Sequence, residues 1–389
     1  MKILLISHAK NDENAGASRV YHMLATALRE KGHQVTLFHL DDLRLPKFLK
    51  PFVMRLALPD AMFLRFYREA TQGYDIVFCS NGMAWKIFRK LRAQAKRPYL
   101  IHHIHGLTYF DYLAVVTERL RGHLKLSPLF MALKGRFPIK WDAEGARYAD
   151  AIVAQNIRDQ DYLEDQRALA GLAEADAAPI YQVPLALHPA LEEASRYAVP
   201  PEERNPMTIL WFGSWRERKG NYYVNRAFRE VKKKFPQATL TLGGTGSDAA
   251  SVEAFFDPAL RSSVRVLPRV DIKTQVMEYN SHSIFIFPSL SEGFGLAPIE
   301  AMALGLACVT TQTGVGSDWI EDGRHAVVVT MASSEHLARG ILKLMEDDAL
   351  RGRIAREGQK LAKSFTLQRC VNEYLTVFDQ CAAQAAPQA

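Results

Sequence analysis

At 389 residues, 48% of them hydrophobic, the chain is long enough to bury two cores of ordinary size. Its four cysteines, Cys79, Cys308, Cys370 and Cys381, form no CxxC pair and no metal-ligand spacing, which sets aside a disulfide framework or a zinc ribbon and fits a reducing, cytoplasmic setting. The apolar run Ile3 to Ile6 is too short for a secretory signal, and no run approaches the roughly 20 residues needed to span a bilayer.

The formal charge of +7 is unevenly carried. Residues 1–190 hold 26 Lys or Arg against 19 Asp or Glu, whereas residues 191–389 hold 23 of each. Between residues 44 and 140 the imbalance sharpens to 18 basic against 5 acidic side chains, which points to an acidic partner for this stretch.

In the first half, short β-rich runs recur between helical stretches: Lys2 to Ser7, Gln34 to Leu40, Tyr74 to Ser80, Pro98 to His105, Ala151 to Gln155 and Tyr181 to Pro184. Such alternation predicts a parallel sheet covered on both faces. The first helix is expected to be N-capped by Ser18, to bury Val20, Met23, Leu24, Ala27 and Leu28, and to stop at Gly32. Residues 189–206, proline-marked, charged and without a clear period, read as an interdomain linker. The second half repeats the design with Thr208 to Phe212, Thr239 to Leu242, Val264 to Leu267, Ile284 to Phe287, Cys308 to Thr311 and Ala326 to Val329.

The expected fold class is therefore α/β, two doubly wound Rossmann-like domains facing a cleft. The N-terminal domain covers 1–188 and the C-terminal domain 207–365. A final helix over 366–382, with Val371, Tyr374, Leu375 and Phe378 at helical spacing, is expected to cross back to the N-terminal domain, ahead of an Ala/Gln/Pro tail that frays. Ligands of such folds bind beyond the strand C-termini.

Ile101 to Gly106 contains His102, His103 and His105, which raises the question of a metal; alternation puts His103 and His105 on one face and His102 on the other. Histidines at i and i+2 alone rarely suffice for zinc, so no metal is expected there. After Ile284 to Phe287 comes the stretch Pro288 to Gly305, in which Pro298 suits the first turn of a helix because its missing N–H would be unpaired there. Glu292 then falls in the loop and Glu300 in the first helical turn. Gly293 and Gly295 let a ligand approach the backbone, and the free N–H groups of the helix start favour an anion. The alternative is that Glu300 merely complements the helix dipole and Glu292 is a solvated loop carboxylate.

The run SEGFGLAPIEAMALG, residues 291–305, closely resembles the Glu-x7-Glu segment of retaining GT-B glycosyltransferases, specifically glycosyltransferase family 4 (glycosyl transferases group 1). Phe212 to Gly220 is similar to that family's diphosphate loop: Lys219 and Gly220 match, Ser214 stands where the family has arginine, and Arg216 or Arg218 is left to supply the second phosphate cation. The resemblance implies a GT-B architecture, Glu300 on the donor ribose, Glu292 on the donor sugar, and the backbone of Gly293, Phe294, Gly295, Leu296 and Ala297 lining the sugar and phosphate pocket. It also implies that Gly244, within Gly243 to Gly246, passes close to the donor, that backbone groups at Arg269 and Val270 read the nucleobase, and that His105 hydrogen-bonds the donor sugar near the reacting centre. Gly16, in the loop Asn14 to Ala17, would allow close approach of phosphate or acceptor. Asp159 and Asp161 match the metal-diphosphate pattern of the other major glycosyltransferase fold, but their place in an expected helix after Asn156 reads as a solvated helix face.

The activity that the resemblance implies is retaining, hexosyltransferase-type transfer from a nucleoside diphosphate sugar to a hydroxyl acceptor in cell-surface polysaccharide or glycolipid synthesis. His105 and Glu292 would be catalytic, and no essential metal or other cofactor is expected. The expected partners are the nucleotide-sugar donor and a saccharide or lipid-linked acceptor, with no nucleic acid, because no such motif accompanies the charge. Within residues 44–140, the segment Leu45 to Phe66 interleaves Phe48, Phe52, Val53, Leu56, Met62, Phe63 and Phe66 with Lys47, Lys50, Arg55 and Arg65. It is expected either to lie peripherally on an anionic membrane at the inner face or to be a solvated face over ordinary packing. Two rival readings stay open: another GT-B enzyme, such as a sugar-nucleotide epimerase or phosphorylase, and a sugar-nucleotide-binding protein without turnover.

Overall fold

The apolar runs bounded by Gly, Pro and polar residues become strands, the central ones shielded on both faces as parallel strands flanked by helices are. The computed structural model describes residues 1–13, 16–48, 50–171 and 177–385. They fall into two units: Met1–Val116, Lys125–Leu185 and the C-terminal segment from Gln368 make the first; Thr117–Leu124 and Ala186–Leu367 make the second.

In chain order the elements up to the end of the first sheet are β1 (Lys2–Ile6), α1 (Gly16–Glu30), β2 (Gln34–Phe38), α2 (Lys50–Phe52), α3 (Leu58–Ala70), β3 (Ile76–Ser80), α4 (Trp85–Arg92), β4 (Tyr99–His103), α5 (Thr108–Leu120), α6 (Pro128–Tyr148), β5 (Ala151–Ala154), α7 (Ile157–Leu169) and β6 (Ile180–Gln182). Its six strands pair in the order β2-β1-β3-β4-β5-β6, all parallel. The register sets Ile6 beside Cys79, and Ser80 beside His103, so the loops after β1, β3 and β4 leave the same sheet edge.

The first helix departs from the expected start. It begins at Gly16, and Ser18 lies inside it; its buried hydroxyl accepts from the Asp12 N–H at 3.1 Å instead of capping the helix. Val20, Tyr21, Leu24, Ala27 and Leu28 are buried, while Met23 is only partly covered. The surface segment between β2 and β3 also divides differently. Met62 and Phe66 enter the core and Phe63 packs against it, because α3 has an amphipathic period; Phe48 and Phe52 are exposed, and so is Leu64.

The second unit contains α8 (Pro189–Ala194), β7 (Thr208–Phe212), α9 (Asn221–Lys234), β8 (Thr239–Gly243), α10 (Ala249–Ala254), β9 (Val264–Leu267), α11 (Ile272–Ser281), β10 (Ile284–Phe287), α12 (Leu296–Ala303), β11 (Ala307–Thr311), α13 (Val315–Asp318), β12 (Val327–Val329), α14 (Ser334–Glu346) and α15 (Asp348–Ala362). Thus 189–206 is not wholly irregular: Pro189 starts α8, and His188 caps it by accepting from the Ala190 N–H at 3.1 Å. The sheet order is β12-β11-β10-β7-β8-β9, again parallel. It reverses between β7 and β10, the place in an open parallel sheet beside which ligands bind.

The last helix, α16 (Leu367–Ala385), is longer than its sequence period suggested and buries Val371, Tyr374, Val377 and Phe378 within the first unit. The Ala386–Ala389 end of the tail, and Asn14 and Ala15 of the loop before α1, lie outside the described residues. Among the described residues no helix is long and apolar enough to cross a membrane.

Candidate functional site

In the second unit the loops after β7 and β10 touch at the point of strand reversal. Gly220 makes this contact feasible: it adopts φ +74°, and a Cβ there would meet the Pro288 carbonyl oxygen at 2.0 Å. The Leu290 N–H donates to the Arg218 carbonyl at 2.7 Å, tying the loops together. Their side chains then converge. Lys219 Nζ lies 2.6 Å from Glu292 Oε1 and 4.9 Å over the Phe287 ring, and Arg218 Nη1 lies 3.5 Å from Glu292 Oε2 while donating to the Ser291 carbonyl at 2.9 Å.

Glu292 is only 5% exposed at its side chain, so the solvated-loop alternative does not hold. Burial alone would raise its pKa. Lys219 and then Arg218 outweigh that effect and hold the carboxylate below its ordinary range. Of the two arginines that sequence could not separate, Arg218 is beside this carboxylate and Arg216 is exposed; Ser214 is half-buried, its carbonyl accepting from the Arg216 N–H at 2.8 Å.

Gly295, at φ +82°, turns the chain into α12, whose first residue is Leu296. Glu300 is therefore the fifth helical residue, one turn deeper than expected. It is buried, and its Oε2 accepts from Gln275 Nε2 at 2.8 Å and Tyr279 Oη at 3.1 Å, both on α11. Phe294, next to Gly293, is buried against Phe365, and its carbonyl accepts from the Val315 N–H at 2.6 Å. Gly244 turns with its N–H on the Leu267 carbonyl at 2.8 Å and comes near Val270, whereas Arg269 is exposed.

The first unit gathers histidines at its sheet edge. The rings of His103 and His105 are 4.1 Å apart, with His8 5.2 Å and Tyr21 5.5 Å from His105, while His102 faces Gly145 on the opposite side. Alternation along β4 thus sorts the three histidines as the sequence predicts. His105 Nδ1 is 2.9 Å from Gln155 Nε2, and its own Nε2 is buried without a hydrogen-bond partner among the described residues. Burial first, then His103 and His8, hold His105 well below the usual histidine pKa, so the ring is neutral at pH 7. Among the described residues no group of three His, Cys, Asp or Glu side chains could hold a metal ion. Gly16 is the first residue of α1.

Asp159 corrects the expectation of a solvated helix face. It is buried, and its Oδ1 accepts from the Leu107 N–H at 3.3 Å while Oδ2 accepts from Asn156 Nδ2 at 2.8 Å. Asp142 on α6 likewise accepts from Gly82 N–H at 3.0 Å and Thr108 N–H at 2.9 Å. Together with Asn81, which accepts from the His105 N–H at 3.2 Å, these side chains hold the loop that carries His105. Burial pushes the Asp159 pKa up to about 7, against the opposing effect of those hydrogen bonds. Asp161 alone is exposed. Sequence reasoning missed Gln155, Gln275 and Tyr279; only their positions just past β5 and on the helix before β10 could have marked them.

Residues 14–170 match the family model for Glycosyltransferase Family 4, and residues 206–347 match that for Glycosyl transferases group 1. The phosphatidyl-myo-inositol mannosyltransferase of Mycolicibacterium smegmatis is 29% identical over 161 residues, which is 41% of this chain and 41% of that protein. Matches to the first curated relatives of this kind span less than half of their length. Sucrose-phosphate synthase from Thermosynechococcus elongatus superposes with a TM-score of 0.76 at 18% identity, covering 99% of this chain and 100% of that one. Anabaena HepE, in a structure with UDP and glucose, gives a TM-score of 0.63 at 16% identity over 97% of this chain and 99% of that one. Two parallel six-stranded sheets, an N-terminal family 4 domain and a C-terminal group 1 domain in one chain make this protein a member of the GT-B glycosyltransferases of family 4.

Proposed function

We propose that the protein transfers a sugar, with retention of anomeric configuration, from a nucleoside diphosphate sugar to a hydroxyl acceptor. The observation that carries this reading is the buried Glu292–Lys219 pair with Arg218 beside it, set where the strand order of the second sheet reverses. A carboxylate kept ionised there accepts hydrogen bonds from sugar hydroxyls. Lys219 and Arg218, with the N–H groups at the start of α12, neutralise the charge that develops on a departing diphosphate. Glu300 takes the ribose hydroxyls, and His105 offers its unpartnered Nε2 to a ligand oxygen. The same cations make a divalent metal dispensable for the leaving group.

HepE, of the same fold, was solved with UDP and glucose, which supports a nucleotide-sugar donor. The name of the mycolicibacterial relative supports a lipid-linked acceptor, reached by a cytoplasmic protein at the inner membrane face through Lys47, Phe48 and Phe52. Incubation with a panel of nucleotide sugars and hydroxyl acceptors tests the proposal, with the anomeric configuration of the product read by NMR. Glycosylated acceptor of retained configuration supports it. Isomerised donor or released sugar phosphate would establish the epimerase or phosphorylase instead, and binding with no turnover a sugar-nucleotide-binding protein. EDTA is expected to leave the rate largely intact; complete loss restored by Mg²⁺ would overturn the metal-free reading.

A further inference from the structure

Gln155 lies just beyond β5 and is buried. Its side-chain nitrogen meets two ring nitrogens at once, His105 Nδ1 at 2.9 Å and His103 Nε2 at 3.2 Å. An amide nitrogen has two hydrogens and no acceptor capacity, so each ring nitrogen facing it must be an unprotonated acceptor. His103 has two further partners, both hydroxyls, which can donate or accept and so accommodate this assignment. Tyr374 Oη on α16 lies 2.9 Å from the same Nε2, and Tyr21 Oη on α1 lies 3.1 Å from Nδ1. With Gln155 and Tyr374 sharing its single Nε2 lone pair, His103 carries its proton on Nδ1, toward Tyr21. His105, accepting at Nδ1, keeps its single proton on Nε2, a ring nitrogen with no hydrogen-bond partner among the described residues.

We propose that Gln155 is a positioning residue that fixes His105 in the Nε2–H tautomer, so that the site presents a neutral hydrogen-bond donor to the oxygen of a bound sugar or diphosphate. An aspartate or glutamate at this position would do the reverse. A carboxylate can only accept from a histidine, so it would draw the proton to Nδ1 and stabilise the imidazolium. The groups facing His105 are His8 from the end of β1, Tyr21 from α1, His103 from β4 and Gln155 itself, with Tyr374 of α16 acting through His103. Both neighbouring histidines disfavour a charge on the ring, and burial does so more strongly. An amide thus supplies orientation without stabilising a second proton, which a carboxylate could not do.

The effect on catalysis rests on the role proposed for His105; the tautomer does not. Nitrogen-15 histidine NMR of the full-length protein, with His105 assigned by loss of its signals in His105→Asn, reads the tautomer directly. The wild type is expected to show Nε2–H at His105, and an Nδ1–H signal would overturn the proposal. In Gln155→Glu the proton is expected to move to Nδ1 or the ring to become charged, with the pH midpoint displaced to the alkaline side and kcat down about tenfold while KM for the donor stays within about twofold. An unchanged tautomer and midpoint would overturn the proposal. Should the glutamate variant not fold, Gln155→Met removes the donor without adding charge and is expected to give mixed tautomers; a single unchanged tautomer again counts against Gln155. If His105→Asn retains full turnover while the tautomer results hold, the catalytic reading of His105 fails and the assignment to Gln155 stands.

Discussion

Lys219 Nζ sits 2.6 Å from Glu292 Oε1, the two residues coming from different loops of the second sheet and meeting where its strand order reverses. Removing the carboxylate leaves a largely buried ammonium without its nearest counter-charge. Glu292→Ala is expected to lower turnover by ten- to a hundredfold, or about 1.5–3 kcal/mol. Unchanged kcat in steady-state assays would remove Glu292 from the mechanism. The same pair gives a pH signature. Because the folded pKa lies below the ordinary value of about 4.3, the stability it supplies is complete above that value and is lost as pH falls through the folded one. Glu292→Gln should lose less stability on acidification than the wild type does.

The two loop arginines should behave differently. Lys219→Ala and Arg218→Ala are expected to weaken binding of a nucleoside diphosphate about tenfold or more while sparing the bare nucleoside, whereas Arg216→Ala, at an exposed side chain, should be near neutral. Calorimetric titration with both ligands checks this. A larger loss for Arg216→Ala than for Arg218→Ala would exchange their roles.

Glu300 supports two donors from α11 as well as its proposed ribose contact. Glu300→Ala is expected to weaken nucleoside binding and also to destabilise the fold by about 1–3 kcal/mol, since buried Tyr279 and partly buried Gln275 each lose an acceptor. Denaturant unfolding measures the second effect. Full stability with weakened binding would mean that the α11 contacts are energetically idle.

Asp159 should act with the opposite sign to Glu292. Its pKa rises from 3.8 to about 7 on folding, so the native state holds the proton more tightly. The stability so gained is full below the unfolded value and is lost as pH climbs toward the folded one. Asp159→Asn should therefore flatten the dependence of Tm on pH between about pH 4 and pH 7. Parallel curves for variant and wild type would contradict the assigned shift.

The basic stretch of the first unit predicts weak, salt-sensitive association with vesicles containing anionic lipid. Lys47 and Phe48 are exposed beside one another, Phe52 is 59% exposed, and Lys50 is only 3.9 Å from Asp41, which tempers its charge. Charge reversal at Lys47 should therefore reduce co-sedimentation more than reversal at Lys50. No binding to such vesicles at low salt would leave this face a solvated one.

What the amino-acid sequence determined by itself was everything governed by local pattern. The strands were legible because a parallel strand covered on both faces is an apolar run between turn residues, and the loop from Glu292 to Glu300 because its glycines, proline and carboxylates occupy fixed positions along one connection. The sorting of His103 and His105 from His102 followed from the period of two along β4. Tertiary structure alone decided which long side chains meet. Arg216 and Arg218 differ by two positions in one turn, and only the approach of the β10 loop, permitted by Gly220, brings Arg218 to Glu292. Asp159 looked like one face of a polar helix, yet the loop after β4 folds over it and its carboxylate becomes the acceptor for the Leu107 N–H. Ser18 lost its expected capping role because α1 already starts at Gly16, and Met62 and Phe66 left the expected surface for the core. Gln155 carries no motif; its importance arises where the ends of β4 and β5 lie side by side and one amide can reach two imidazoles, a meeting of residues about fifty positions apart that no local pattern encodes.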